Sequence, residues 1–120
     1  MVRDKNADKR LEYNREISDV ERTYDELQNQ KRSVIHNLES IEASLTKSFE
    51  NLRMIDEELK LRSQANDNDF YDENQQKYRF VKQLINGQKE ETKVQYHQVL
   101  QENEFEKEQL QKERDNLSWE

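Results

Sequence analysis

Apolar side chains recur along the first half of the chain at alternating spacings of four and three residues. The pattern runs from Tyr13 to Leu59, and only Lys31 and Ser48 interrupt it with polar groups. A seven-residue repeat sustained over this many heptads predicts a long α-helix with a coiled-coil-like seam. The seam positions are Tyr13, Ile17, Val20, Tyr24, Leu27, Lys31, Val34, Leu38, Ile41, Leu45, Ser48, Leu52, Ile55 and Leu59.

The apolar stripe of this helix is widest near its middle, where Ile35 and Phe49 lie beside the seam. A seam between two helices needs only two apolar positions per heptad, so a wider stripe predicts contact with more than one helix. We therefore predict a partner-binding surface on this part of the helix. Its residues are Val34, Ile35, Leu38, Ile41, Leu45, Phe49, Leu52, Ile55 and Leu59.

Lys31 places a charged side chain at a seam position. A polar residue at such a position weakens the seam locally but can specify register or oligomeric state. The alternative is that its ammonium group reaches water while its methylene groups stay against the seam.

The second half of the chain has a less regular apolar pattern. One face is formed by Tyr78, Val81 and Ile85, and a continuing face by Tyr96, Val99, Leu110 and Leu117. The interval of eleven residues between Ile85 and Tyr96 fits a local relaxation of a supercoil. Gly87 lies in this interval, and glycine inside a helix costs about 1 kcal/mol relative to alanine. Two interpretations stay open, namely one helix through Gly87 or a second turn at Asn86 and Gly87.

The stretch "SQANDNDFYDENQ", residues 63–75, separates the two helical segments. Its carboxylates suggest a calcium loop, but an EF-hand pattern started at Asp67 places Tyr71 at its fifth position and Tyr78 at its twelfth. Asp69 or Asp72 fits a helix cap better, because Asp72 and Gln75 have capping-box spacing. The sequence therefore predicts an all-α, coiled-coil-like antiparallel two-helix hairpin. We expect one domain over 1–120, with helices at about 8–64 and 73–117 and a corner at about 65–72.

Composition supports this fold class. Hydrophobic residues make up 31% of the chain and charged residues 39%, with one Gly and no Pro, which favours long helices over a globular core. A net charge of -7 argues against nucleic acid or anionic lipid as the main partner. No apolar stretch is long enough to enter a membrane. We expect a cytoplasmic protein without a cleavable signal peptide, with export alongside a partner as the alternative.

The sequence offers few groups for catalysis or metal binding. It has no Cys, and His36 and His97 lack the spacing of a helical metal site. No phosphate-binding loop or catalytic triad stands out. We therefore expect no enzyme activity, no metal and no cofactor. Aromatic side chains away from the seam are further candidates for protein contact, namely Phe70, Tyr71, Phe80, Phe105 and Trp119.

A Cys-free chain of two helices joined near the middle resembles the small helical hairpins of type VII secretion over most of its length, especially in "SFENLRMIDEELKLRSQANDNDFYDENQQKYRFVKQLINGQKEE". More specifically, the chain resembles the accessory proteins that accompany LXG toxins. This resemblance implies a targeting chaperone that binds the helical N-terminal domain of the toxin, alone or with a second small helical protein, and promotes export.

The chain also departs from that class. The W-x-G turn of one branch is absent, because the single Trp is Trp119, and Tyr96 is followed four residues later by Leu100 instead of an acidic residue of the export signal. The resemblance therefore implies that a partner supplies the signal. Two other hypotheses stay open: a coiled-coil stalk of an export apparatus, and a scaffold that assembles as a homo-oligomer.

Overall fold

The part of the chain that the structure describes consists of two long α-helices. The computed structural model describes residues 5–63 and 69–117, with side chains at 5–62 and 71–117. Helix α1 spans Ala7–Ser63 and helix α2 spans Asp69–Asp115. The predicted all-α antiparallel hairpin is confirmed, because residues later in α1 contact residues earlier in α2. Arg114 donates to the Asn14 side chain at 3.0 Å, and Phe49 stacks on Tyr78.

Both helices follow from the local sequence. Without Pro, nothing in the chain forces a break, and α2 runs through Gly87 as one helix, which confirms the first of the two interpretations. The Asn6 carbonyl accepts the first helical bond from the Arg10 amide at 2.9 Å, and Asn is a favoured residue at that position. Basic side chains in the last turn of each helix complement its dipole.

Helix α2 begins at Asp69, earlier than the predicted position of about 73. Asp72 consequently lies inside the first turn, so the prediction that it caps the helix is wrong. Residues 64–68, which include positions 65–68 of the predicted corner, lie outside the described residues, as does the side chain of Asp69. The expectation that this stretch binds no calcium therefore stays a prediction.

The chain divides into two compact units, and each helix contributes to both. Unit 1 comprises Met1–Arg32 and Lys93–Glu120, and unit 2 comprises Ser33–Thr92. The buried side chains described in unit 1 are Ile17, Val20, Leu100 and Asn103. Leu100 thus takes the buried position that the sequence pattern assigned to Val99, which is exposed.

Unit 2 has a more polar interior. Ile85 is its one buried hydrophobic side chain among the described residues, and Asp56 and Thr92 are buried with it. The Thr92 hydroxyl donates to the Gln88 carbonyl at 2.8 Å, so helix backbone satisfies this group. Lys89 and Glu42 form an ion pair between the helices at 3.0 Å, with both side chains largely shielded from solvent.

The side of α1 that faces α2 changes along the helix. In unit 1 the predicted seam is retained, since Ile17 and Val20 are buried and Tyr13 and Tyr24 are half-buried. In unit 2 the shielded residues include Glu42, Phe49 and Asp56, each one position after a predicted seam residue. Within unit 2 the shielded side of α1 is therefore offset by one residue from Ile41, Ser48 and Ile55, which are exposed.

Candidate protein-binding face

An uncharged line of α1 lies beside the shielded positions of this helix in unit 2. Ile41 and Ile55 are 54% and 51% exposed, and they lie beside the shielded positions Glu42 and Asp56. We call the whole line the uncharged flank, because none of its residues carries a charge. It consists of Val34, Asn37, Ile41, Ser44, Ser48, Asn51 and Ile55.

The opposite side of α1 in unit 2 has the usual character of a solvated helix surface. It carries Glu39, Glu50, Arg53 and Glu57, and Arg53 pairs with Glu50 at 3.0 Å. In a chain with 39% charged residues, a line of more than five helical turns without a charge is an asymmetry that solvation alone does not require.

A groove between the helices borders the uncharged flank. Its volume is about 190 Å³, and apolar atoms form most of its surface. The floor includes Leu45, Phe49 and Tyr78, and the walls rise at Leu52 on α1 and Val81 on α2. Because residues seven apart lie in line on a helix, Leu84 extends the α2 wall from Lys77, and Ile55 extends the α1 wall from Ser48.

Aromatic rings fix the floor of this groove. Phe49 stacks on Tyr78 with ring centroids 4.5 Å apart, and it lies 6.4 Å from the ring of Tyr71. The Tyr78 hydroxyl is 3.1 Å from the Thr46 hydroxyl, and the Lys60 ammonium lies over the Tyr71 ring. Aromatic pairs of this kind contribute about 0.5–1.5 kcal/mol beyond their burial. Phe49 and Tyr71 therefore stabilise the hairpin itself.

The predicted surface residues divide into two groups in the structure. Val34, Ile35, Leu38, Leu45 and Phe49 are half-buried, whereas Ile41, Leu52, Ile55 and Leu59 are exposed. Phe80 and Phe105 are exposed and Tyr71 is half-buried. Phe70 and Trp119 lie outside the described side chains. Val81 and Leu84 were not predicted for this surface, although the spacing of Lys77, Val81 and Leu84 was the signal for it.

Unit 1 contains a hollow of a different kind, near the ends of α1 and α2. Lys9, Glu12, Tyr13, Glu16, Glu113 and Leu117 line a volume of about 420 Å³. Partial burial raises the pKa of the Tyr13 hydroxyl above its ordinary value of 10.0, and the Glu113 carboxylate, which accepts its hydrogen bond, raises that pKa further. Within the described part of the chain, no three His, Asp or Glu side chains are placed to hold a metal ion.

Comparison of the chain with protein-family models, with curated proteins and with solved structures finds no match. Neither α1 nor α2 contains a stretch that has the length and apolar character needed to cross a membrane. The exposed side chains of unit 2 are therefore the feature that indicates a function. A helical hairpin with this many exposed hydrophobic side chains is consistent with a protein-binding role.

Proposed function

We propose that this protein is a non-enzymatic helical adaptor, a targeting chaperone that binds the helical N-terminal domain of a type VII-secreted LXG toxin and promotes its export. The observation that supports binding is the uncharged flank of unit 2, with Ile41 and Ile55 on the surface beside the groove. The LXG toxin is proposed as the partner because the chain resembles the accessory proteins of such toxins over most of its length, especially over residues 48–91.

A helix of the partner would lie along the groove, in contact with both walls. Burial of an aliphatic side chain contributes about 1.5–3 kcal/mol when it is complete. Part of the surface is still exposed on Ile41, Leu52, Ile55 and Val81. Burial of that surface by a partner helix would contribute favourable binding free energy at each of these side chains. Association and side-chain ordering offset part of this free energy. The absence of charge on the flank means that docking desolvates no ion there.

The same features explain why the adaptor would need no catalytic groups. Its role would be to cover apolar surface of the toxin domain and to present that domain to the export apparatus from the cytoplasmic side. Because Tyr96 and Phe105 are not followed by an acidic residue four positions later, the export signal would come from the toxin or from a second small helical protein.

Co-purification and calorimetry with an isolated LXG domain test this proposal. The full chain is expected to bind the domain, and Ile41→Asp and Ile55→Asp are each expected to weaken binding by at least about tenfold, because each places a charge in an apolar contact. Leu11→Asp is the matched control, since Leu11 is also 54% exposed on α1 but lies in unit 1. This variant should bind as the unaltered chain does.

Circular dichroism of the three variants separates binding from folding. All three substitutions lie at exposed positions, so the helical content and the thermal midpoint should stay close to those of the unaltered chain. The proposal is wrong if the LXG domain does not bind. It is also wrong if binding survives in both the Ile41 and the Ile55 variants.

A further inference from the structure

A second stripe lies on the outer side of α2 in unit 2, and two of its members also border the groove, since Lys77 lines it and Leu84 extends its α2 wall. Phe80 and Leu84 are 61% and 57% exposed, although neighbouring Ile85 is buried. Five residues at alternating spacings of three and four lie along this side of the helix. They are Lys77, Phe80, Leu84, Gly87 and Glu91, and we call them the α2 outer stripe.

Gly87 is the unusual member of the stripe. A Cβ atom added at this position would meet nothing within 4 Å, so no contact inside the hairpin requires a glycine there. Glycine is nevertheless unfavourable in a helix interior. A glycine at this position does allow another surface to approach the backbone of α2 closely, next to the side chains of Phe80 and Leu84.

The charges of the stripe are arranged symmetrically about Leu84. Lys77 lies seven residues before Leu84 and Glu91 lies seven residues after it, so each is about two turns away. If two copies of α2 lie antiparallel around a two-fold axis at Leu84, Lys77 of each copy faces Glu91 of the other. In the same arrangement the Phe80 ring of one copy comes next to Gly87 of the other.

We propose that the α2 outer stripe binds a second copy of this chain, as an antiparallel two-fold pair centred on Leu84. The stripe is self-complementary in charge, and it is self-complementary in shape because a large ring meets a glycine. Lys77 also pairs with Glu73 on its own helix at 3.1 Å, and its ammonium has three donors, so both contacts can form. This inference goes beyond the proposed function, and because Lys77 and Leu84 also belong to the α2 wall of the groove, pairing of two copies would compete with a partner helix for that wall.

Sedimentation equilibrium of the full chain over a wide concentration range tests the proposal. The unaltered chain is expected to form a dimer, and Lys77→Glu and Glu91→Lys are each expected to raise its dissociation constant roughly tenfold by opposing like charges. The double variant Lys77→Glu with Glu91→Lys restores opposite charges across the axis and should recover most of the affinity. Arg79→Glu, the same change of charge on another side of α2, is the control that should leave dimerisation unaltered.

Gly87→Leu gives a second and independent readout. The leucine would block the close approach and should abolish dimerisation, while the helical content of the monomer should not fall because leucine favours helix. A chain that stays monomeric at all concentrations would overturn the proposal. A dimer that persists in the Gly87→Leu variant would also overturn it. So would a dimer that the double charge exchange does not restore, which is the result expected from parallel pairing or from pairing through another surface.

Discussion

Units 1 and 2 are built from the same two helices but treat the same sequence repeat differently. Ile17 in unit 1 is 6% exposed, whereas Ile41 in unit 2 is 54% exposed, although both occupy predicted seam positions. Unit 1 thus uses the repeat for its own packing. In unit 2 Ile41 and Ile55 of the repeat are exposed instead, whereas Glu42, Asp56 and Lys89 are shielded from solvent.

The difference shows that an apolar stripe and an intramolecular interface are separate properties. A repeat of seven residues predicts that a helix has a contact side, but the contact need not be made within the same chain. In unit 2 the Glu42–Lys89 ion pair occupies part of the contact between α1 and α2. Ile41 and Ile55 lie outside this contact, and they belong to the surface that we propose for another protein.

The largest expected effect is a contrast between one isoleucine in each unit. Ile17→Ala should lower the free energy of unfolding by roughly 2–4 kcal/mol, because it removes a buried side chain. Ile41→Ala should lower it by less than about 0.5 kcal/mol, because the side chain is already half in water. Urea denaturation followed by circular dichroism measures both. Equal effects would contradict the assignment of inside and outside positions in the two units.

The next effect comes from making the interior of unit 2 as apolar as that of unit 1. The double variant Glu42→Leu with Lys89→Leu should raise the free energy of unfolding by roughly 1–2 kcal/mol, since a shielded ion pair is often replaced favourably by apolar packing. Glu42→Leu alone should be less stable than the double variant, because Lys89 would then keep a shielded charge without its partner. Thermal unfolding of the single and double variants distinguishes these outcomes, and a double variant that is less stable than the single one would refute them.

A smaller gain is expected inside unit 1. Asn103 is buried, and its side-chain oxygen has no hydrogen-bond partner among the described residues. Asn103→Leu should therefore raise the free energy of unfolding by about 1 kcal/mol. Gln101→Leu serves as the control for helix propensity, because Gln101 lies two residues earlier and is exposed. A loss of stability at Asn103 would mean that the amide makes a favourable contact in the folded chain.

The smallest expected effect is a pH dependence confined to unit 1. The pKa of Tyr13 is raised, so the folded chain holds the phenol proton more tightly than the unfolded chain does. The associated stability is complete below pH 10.0 and is lost as the pH rises through the folded-state pKa. Tyr13→Phe should flatten the loss of stability in this alkaline range, and Glu113→Gln should reduce it. An alkaline urea series that is identical for all three chains would contradict this link.

Much of the fold was predictable because it depends on local interactions. The long repeat and the absence of Pro predicted two helices, and the structure confirms them. The predicted binding surface stays a prediction, and the structure divides it into half-buried residues such as Leu38, Leu45 and Phe49 and exposed ones such as Ile41 and Ile55. The α2 wall of the groove was missed, because Val81 was assigned to the same face as Tyr78 and Ile85.

The sequence by itself determined that the chain forms two amphipathic helices, because helix propensity and side-chain spacing act over a few residues. Only the tertiary structure decided which residues of each stripe face the other helix. That choice depends on which side chains of α2 lie opposite each turn of α1, as Lys89 lies opposite Glu42 and Tyr78 opposite Phe49. The uncharged flank lies on the surface of unit 2 because these neighbouring positions of α1 make the contacts with α2 instead.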